Sequence, residues 1–274
     1  MTKLIKFSSI DILMKTLSSH VSNDLREALK INKMVSLSVP GGTTPSPFFD
    51  CLCNEDLEWQ RVNILLSDER YLPENNIRSN TGLILKHLIQ KKASLAKVIS
   101  FYDKNLSEEE FVNKNEPQMS ELLPINVSIL GMGEDMHTAS LFPDSNELTD
   151  ALESDKTLHV VRPKSQPEAR ISLSGKALSS AKKTYILILG EDKLNAYKMA
   201  CSESSEKKAP IRIVFDVSNV FMNSIEANIR NTKTKGEVNS LRINGNVPAV
   251  VYGGSEKNQK IYLSKKNIKN LIEK

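Results

Sequence analysis

Short apolar runs alternate with amphipathic stretches along most of the chain. The runs are rich in β-branched residues and predict strands, whereas the stretches between them repeat apolar residues at helical spacing. The predicted strands are residues 34–39, 62–67, 97–102, 126–131, 158–162, 170–174 and 184–190. The predicted helices are residues 9–30, 45–54, 79–91, 107–114, 137–142, 175–182 and 191–201. Because this alternation is typical of βα units, it predicts a doubly wound α/β body, a mainly parallel sheet with helices on both faces.

The composition, 39% hydrophobic and 26% charged over 274 residues, suits a chain with one large core or a core plus an appendage. No apolar stretch is long enough to span a bilayer and the N-terminus has no signal-type apolar segment, so we expect a cytoplasmic protein without a membrane partner. Cys51, Cys53 and Cys201 have no second Cys or His pair to complete a zinc site and are interpreted as buried reduced thiols. The sequence leaves the oligomeric state open.

Positive charge is concentrated at the C-terminus. Residues 222–274 contain ten Lys and Arg against four Glu, a net charge of +6, whereas the net charge of the whole chain is +4. The preceding part is therefore slightly acidic. This asymmetry predicts two domains, residues 1–220 and 222–274, and favours a nucleic-acid partner for the second.

A glycine-rich turn, "VPGGTTPSPFF" (39–49), follows the strand predicted at 34–39. Doubly wound sheets bind ligands at the carboxyl ends of their strands. Gly41 and Gly42 allow a ligand close to the backbone, while Thr43 and Thr44 provide hydroxyl donors and a helix cap ahead of Pro45 in the first helical turn. The turn can hold a phosphate, although a turn that only caps a helix is the commoner use of this pattern. Its spacing is neither that of a Walker loop nor that of a dinucleotide fingerprint.

Three charged residues, Asp68, Glu69 and Arg70, follow the strand predicted at 62–67. Charges directly beyond a buried strand are unfavourable unless they face a polar cleft, so we expect all three to line one. Arg70 suits a phosphate through its planar set of donors, and Asp68 suits the orientation of a neighbour or a substrate. An ion pair within a loop explains the same residues.

The segment "SILGMGEDMHTASLFPDS" (128–145) brings a histidine to the same edge of the sheet. Gly131 and Gly133 free the turn beneath His137, and Asp135 is placed to hold one ring nitrogen while the other faces the cleft. A neutral imidazole near pH 7 is a suitable general base for water. The remaining histidines of the chain are interpreted as structural.

The motifs "VPGGTTP", "SDER" and "GMGEDMHTASLFP", in this order and spacing, resemble those of the 6-phosphogluconolactonase family. The resemblance covers about residues 1–215 and continues through "PEARISLSGKALSSAKKTYILILGEDK". Glucosamine-6-phosphate deaminases share the family's fold but differ after their histidine. Met136 departs from the common family pattern, which has glycine before the histidine, and predicts a narrower site without backbone strain.

The resemblance implies hydrolysis of 6-phosphoglucono-δ-lactone to 6-phosphogluconate without a metal or organic cofactor. It assigns His137, Asp135 and Asp68 to catalysis and the orientation of water, sugar or imidazole. The residues that it assigns to the substrate phosphate are Gly41, Gly42, Thr43, Arg70, Arg170 and Lys193. Two alternatives stay open: a sugar-phosphate isomerase or deaminase on the same fold, and a ribosome-associated RNA-binding protein whose enzyme body is inert.

The C-terminal segment has a second resemblance, to the opening portion of the bacterial 5S-rRNA-binding ribosomal protein family that includes general stress protein Ctc. The matching pieces are "KTKGEVNSLRINGNVPAVVYGG" and "KIYLSKKNIKNLIEK", and Met222 resembles that family's start. The resemblance implies a small, β-rich, partial barrel in which runs such as "AVVYGG" and "KIYLS" are unpaired. We expect at most weak RNA binding, and a basic extension without function explains the same residues.

Overall fold

The computed structural model describes residues 3–223, 227–232, 234–251, 259–266 and 268. The strands in chain order are β1 (Lys3–Phe7), β2 (Val35–Val39), β3 (Val62–Leu66), β4 (Asp68–Arg70), β5 (Lys97–Ile99), β6 (Val127–Leu130), β7 (Leu158–Val161), β8 (Arg170–Leu173), β9 (Lys183–Leu189), β10 (Ser218–Asn223), β11 (Asn228–Ile229), β12 (Asn246–Val251) and β13 (Gln259–Ser264). The helices are α1 (Ile10–Ile31), α2 (Ser46–Leu52), α3 (Asn80–His87), α4 (Glu108–Ser120), α5 (Leu148–Glu153), α6 (Gly175–Ser179), α7 (Glu191–Ser202) and α8 (Lys235–Ile243). Short 3-10 segments cover Trp59–Arg61, Lys91–Leu95 and Pro210–Val217.

Seven of the described strands form a parallel sheet in the order β1-β10-β9-β6-β2-β3-β5. Every residue of β2, β3 and β6 is buried, which explains their near-continuous apolar runs. The predicted doubly wound α/β body with a mainly parallel sheet is confirmed. Its last strand, β10, lies between β1 and β9, and Met222 within it is fully buried and aligned with Lys6 and Ile188. The parallel sheet therefore includes Met222, the first residue of the basic C-terminal segment (residues 222–274), which we call the tail.

Helix α1 is amphipathic and packs against this sheet. Its fully buried leucines and valine, spaced four residues apart, are Leu13, Leu17, Val21 and Leu25. The helix contacts β1, β2, β6 and β10, and the Tyr185 hydroxyl of β9 donates to Asp24 at 2.6 Å. None of the helices that the structure describes, α1 included, has both the length and the apolarity of a membrane span.

The helix predicted at 137–142 is wrong. Met136 and Ala139 have φ angles of 66° and 50°, and Thr138 pairs with Leu141 in an isolated antiparallel bridge. An α-helix does not run through left-handed residues, so this segment forms tight turns. The other six predicted helices are confirmed with shifted ends, as α1, α2, α3, α4, α6 and α7.

The strands predicted at 158–162 and 170–174 exist, but they lie outside the parallel sheet. They form β7 and β8, which pair with β4 in a separate antiparallel sheet of order β4-β8-β7. Ser67 links the two sheets, because its N–H donates to the Val39 carbonyl at 2.8 Å and its carbonyl accepts from the Leu173 N–H at 2.9 Å. An apolar pattern predicts that a strand is buried but not which strand it pairs with. The seven predicted strands therefore belong to two sheets rather than to one.

In the tail, β11, β13 and β12 form an antiparallel sheet in that order. The prediction that "AVVYGG" and "KIYLS" are unpaired is wrong, because Ala249 and Val250 of the first align with Ile261 and Lys260 of the second. Residues 252–254 of the first run lie outside the described residues. The two runs satisfy one another's backbone groups as neighbouring strands.

Two of the three cysteines are at least partly buried, as the sequence predicts. Cys53 is buried and Cys51 is intermediate in exposure, whereas Cys201 near the end of α7 is exposed. The prediction of a buried thiol is therefore wrong for Cys201.

Candidate active site

Loops from neighbouring strands border one cleft of about 230 Å³ at the carboxyl edge of the parallel sheet. Gly41 and Gly42 follow β2, His137 follows β6, and Lys193 lies in the first turn of α7 after β9. Because β9, β6 and β2 are adjacent in the sheet, their loops lie side by side. Residues distant in sequence therefore share one cleft.

A histidine–aspartate pair lies at this edge. The Nδ1 atom of His137 is 2.5 Å from the Oδ1 atom of Asp135, and the Phe142 ring stacks on the imidazole with centroids 4.0 Å apart. Gly133 leaves the space that the pair occupies, since a Cβ at this position would lie 2.3 Å from the His137 Nδ1 atom. The carboxylate and the phenyl ring together determine the orientation of the imidazole.

The pKa of Asp135 indicates how the His137–Asp135 pair is protonated. Burial raises the pKa of Asp135, but the hydrogen bond from His137 and its charge outweigh burial, and the pKa falls below the ordinary value of 3.8. The carboxylate is therefore ionised at neutral pH and favours the tautomer with hydrogen on Nδ1. In that tautomer Nε2 carries the lone pair of a general base.

The residues of β4 alternate between two environments. Asp68 and Arg70 line the cleft, whereas Glu69 points to the other face, where it accepts the backbone N–H groups of Asn80 at 2.8 Å and Thr81 at 2.7 Å. Burial raises the pKa of Glu69, and these donated hydrogen bonds oppose the rise. The prediction that all three charged residues line a cleft is therefore wrong for Glu69, because successive side chains of a strand face opposite sides.

Positive charge in the cleft exceeds what the nearby carboxylates balance. Arg70 on β4 lies directly opposite Arg170 on β8, and Arg170 reaches the Asp68 carboxylate at 3.5 Å. Burial lowers the pKa of Arg170, Asp68 opposes that change, and the charge of Arg70 adds to it. Among the residues that the structure describes, neither Arg70 nor Lys193 has a carboxylate within ion-pair distance. Like charges on directly paired residues are destabilising, so this arrangement favours an anionic ligand.

The carboxylate of Asp68 is held from several sides. It accepts hydrogen bonds from the Ser140 hydroxyl at 2.6 Å and the Ser67 hydroxyl at 3.1 Å, in addition to its contact with Arg170. Asp68 is 6% exposed. These contacts connect the loop that carries His137 to β4 and β8.

The body and the tail each match a known protein family. The family model for glucosamine-6-phosphate isomerases/6-phosphogluconolactonase matches residues 8–222. The chain belongs to this family. A second model, that of the Ribosomal L25p family, matches residues 225–274. Both resemblances predicted from the motifs are confirmed.

Individual relatives agree with this assignment. A 6-phosphogluconolactonase of Pseudomonas aeruginosa is 38% identical over 200 residues, which cover 72% of this chain and 84% of that protein. The crystal structure of a 6-phosphogluconolactonase from Shewanella baltica is 32% identical, covers 82% of this chain and 98% of its own, and has a TM-score of 0.79. A monomeric glucosamine-6-phosphate deaminase is similar in fold, with a TM-score of 0.68 at 16% identity over 81% of this chain and 97% of that one.

Most of the residues predicted for the site lie around the cleft of this family member. The predicted residues that line it are Gly41, Gly42, Asp68, Arg70, His137, Arg170 and Lys193. Asp135 does not line the cleft itself but contacts His137, which does. Thr44 lines the cleft rather than Thr43, whose carbonyl accepts the Ser46 N–H at 3.2 Å. The predicted threonine cap is wrong, because Pro45 occupies the N-cap position of α2 and no side chain caps that helix.

Sequence reasoning missed several residues of the site, among them Ser140, Phe142 and Asn80. Ser140 and Phe142 lie within the quoted "HTASLFP" motif, which was a signal that they serve the site. Asn80 lines the cleft from the first position of α3, and no local pattern marks it. Its contacts depend on how α3 docks against β4.

Met136 does not narrow the cleft, contrary to the prediction. Its side chain packs against the hydrophobic core, and its φ of 66° is left-handed. The prediction of an unstrained backbone is also wrong, because a residue with a Cβ is disfavoured in this conformation and glycine is not. A glycine at this position would adopt the same φ without that cost.

Proposed function

We propose that this chain hydrolyses 6-phosphoglucono-δ-lactone to 6-phosphogluconate, a step of the oxidative pentose phosphate pathway. The observation that carries the proposal is one cleft lined by His137, which is paired with Asp135, and by three cations. The family match over residues 8–222 and the similarity to 6-phosphogluconolactonases over 72% of the chain support it. The lactone carbonyl requires an activated water molecule, and the substrate phosphate requires positive charge.

In the proposed mechanism His137 acts through Nε2. Nε2 removes a proton from water as the water oxygen forms a bond to the lactone carbonyl carbon, and the carbonyl oxygen takes up the negative charge. Collapse of this intermediate breaks the bond between the carbonyl carbon and the ring oxygen, and the imidazolium returns its proton to that oxygen. General-base assistance of this kind contributes about 10²–10⁴ in rate.

The phosphate is proposed to bind where cations and backbone donors meet. Arg70 and Lys193 provide the charge, and the turn that contains Gly41 and Gly42 provides N–H groups. Helix α2, which follows this turn, has only seven residues and no side-chain cap, so most of the attraction is assigned to the two cations. Arg170 contacts Asp68 and the ring of Phe142, and that ring stacks on His137. Arg170 therefore lies on the histidine side of the cleft.

The test is His137→Ala, assayed on freshly prepared lactone with correction for spontaneous hydrolysis. We expect kcat to fall about 10²–10⁴-fold with the fold retained, since the half-buried imidazole is not a core residue. His87→Ala is the matched control, because His87 also pairs with an aspartate, Asp50 at 3.0 Å, away from the cleft. Wild-type turnover in His137→Ala would contradict the proposal. Ammonia released from an amino-sugar phosphate by the wild-type protein would instead favour a deaminase.

We propose a second, minor function for the tail as a separate unit after the body. The Ribosomal L25p match over residues 225–274 and the net charge of +6 from residue 222 onward favour weak binding of RNA. Binding by Lys and Arg contacts to phosphates weakens steeply as salt increases, because it depends on the release of counterions. Binding of 5S rRNA that persists at moderate salt and discriminates it from other RNA would contradict this proposal.

A further inference from the structure

The carboxamide of Asn80 connects three parts of the cleft. Its Oδ1 atom accepts a hydrogen bond from Arg70 Nη1 at 2.9 Å, and its Nδ2 atom donates to the Asp68 carbonyl at 2.8 Å. The same side chain lies against the backbone of Gly41, where an added Cβ would be 1.9 Å from Oδ1. Asn80 is 3% exposed. A buried side chain with these contacts has little freedom to move.

The contacts determine which way the amide points. A guanidinium only donates and a carbonyl only accepts, so Oδ1 must face Arg70 and Nδ2 must face Asp68. The backbone beneath the amide is also held, since the Asn80 N–H donates to the buried Glu69 carboxylate at 2.8 Å. Asp and Leu, which have a similar size, cannot satisfy both partners.

Arg70 is the residue that this arrangement controls. Its Nη1 atom bonds to Asn80 and to the Arg78 carbonyl at 2.8 Å, which fixes one edge of the guanidinium. Its Nε atom is buried and has no hydrogen-bond partner in the described ranges. The donors that are not engaged are therefore left for a ligand.

We propose that Asn80 is a positioning residue for the substrate phosphate. It sets the orientation of the Arg70 guanidinium and the distance between that guanidinium and the Gly41 turn. This inference rests on the proposed function for the identity of the phosphorylated ligand. Asn80 acts through Arg70 and the turn, and it takes no part in the transfer of protons at His137.

The first experiment measures Asn80→Ala on the phosphorylated lactone and on unphosphorylated glucono-δ-lactone. We expect KM for the phosphorylated lactone to rise about tenfold or more with little change in kcat, since an ordered charge-assisted contact is lost. Activity on the unphosphorylated lactone should fall much less, because that substrate has no phosphate for Arg70 to bind. Asn75→Ala, an exposed asparagine of the preceding loop, is the matched control and should behave as wild type on both substrates.

Two further variants distinguish positioning from a general structural role. In Asn80→Ala/Arg70→Ala the asparagine change should add nothing to the KM of Arg70→Ala, because its effect passes through Arg70. Gly41→Ala alone should weaken substrate binding through its overlap with the carboxamide, and Asn80→Ala should restore part of that loss. Additive effects in both pairs would overturn the proposal.

Calorimetric titration with 6-phosphogluconate separates this inference from the proposed function. If the wild-type protein binds 6-phosphogluconate but does not hydrolyse the lactone, the proposed function fails, and weaker binding by Asn80→Ala still supports the role of Asn80. Unchanged affinity of Asn80→Ala for 6-phosphogluconate, or an equal loss of activity on both lactones, would overturn the role of Asn80. Thermal unfolding of each variant identifies any that are destabilised, and Asn80→Ser then serves as the milder variant.

Discussion

The body and the tail both contain paired strands and capped helices, but they differ in how much apolar surface they bury. The parallel sheet and its helices enclose a continuous core that runs from Leu13 in α1 to Met222 in β10. Among the described residues after β10, Ile261 is the buried hydrophobic residue, whereas Ile229 and Ile243 are 68% and 84% exposed. Helix α8 has a complete capping box of Thr234 and Glu237 but buries no residue.

Local signals are therefore sufficient to form a helix or a strand but not a core. Capping and strand pairing satisfy backbone groups within a few residues of the chain. Burial requires layers that cover one another, and the fraction of surface buried increases with chain length. The body has that length and also carries the candidate site, so function and stability should depend on the body and be nearly independent of the tail.

The largest effect is expected from a cut inside the body. A chain that ends at Val217 lacks β10, which lies between β1 and β9 and contributes the fully buried Val220, Phe221 and Met222. We expect it to lose cooperative thermal unfolding and lactone hydrolysis, because the sheet then has a gap and an exposed apolar face. Cooperative unfolding of this chain, followed by circular dichroism, would show that the core of the body does not need β10.

A change within the site should have the next largest effect. In Asp135→Asn the ring of His137 loses the carboxylate that selects its tautomer, and we expect kcat to fall by about 10–100-fold, as when partners that orient a catalytic group are removed. Glu134→Gln, the adjacent exposed acid, should retain the activity of the wild type. Loss of activity in both variants would indicate a general effect of charge near the cleft.

The lowered pKa of Asp135 also predicts that the stability of the protein depends on pH. The Asp135 pKa is lower in the folded protein than the ordinary value of 3.8. The ionised carboxylate therefore adds to the free energy of unfolding at neutral pH, and this contribution is lost as the pH falls through the folded pKa. Urea unfolding should therefore give a difference between wild type and Asp135→Asn above about pH 4 that shrinks in stronger acid. A difference that grows in acid would contradict the lowered pKa.

A smaller effect is expected from the left-handed residue before His137. Met136→Gly should be more stable than Met136→Ala by about 1 kcal/mol, because both lose the same packing and only alanine keeps the unfavourable Cβ at positive φ. At Lys198, an exposed position within α7, the order should reverse, with Lys198→Ala the more stable by about 1 kcal/mol. Denaturant unfolding measures both pairs, and the same order at both positions would contradict the assigned φ.

The smallest effect is expected from removal of the tail. A chain that ends at Asn223 retains β10 complete, and we expect its kcat and KM for the lactone to equal those of the full chain. Any affinity of the full chain for RNA at low salt should disappear with the tail. A large loss of lactonase activity would show instead that the body depends on the tail.

The sequence alone determined the class of the body and the loops that build the site. The apolar runs of β2, β3, β6 and β9 could be located because a buried strand needs continuous apolar residues. The chemistry expected at the carboxyl ends of parallel strands then indicated Gly41, Arg70 and His137. Such inferences succeed where the cause lies within one segment of the chain.

The sequence pattern did not indicate which distant segments come together at the site. The pairing of β4 with β8 places Arg70 opposite Arg170, and the docking of α3 on β4 brings Asn80 to the cleft. The turn at Met136 likewise replaces a predicted helix, since residues 136 and 139 adopt positive φ. Strand partners and docked helices are chosen by contacts between residues far apart in sequence, and local hydrophobic periodicity carries no information about those partners.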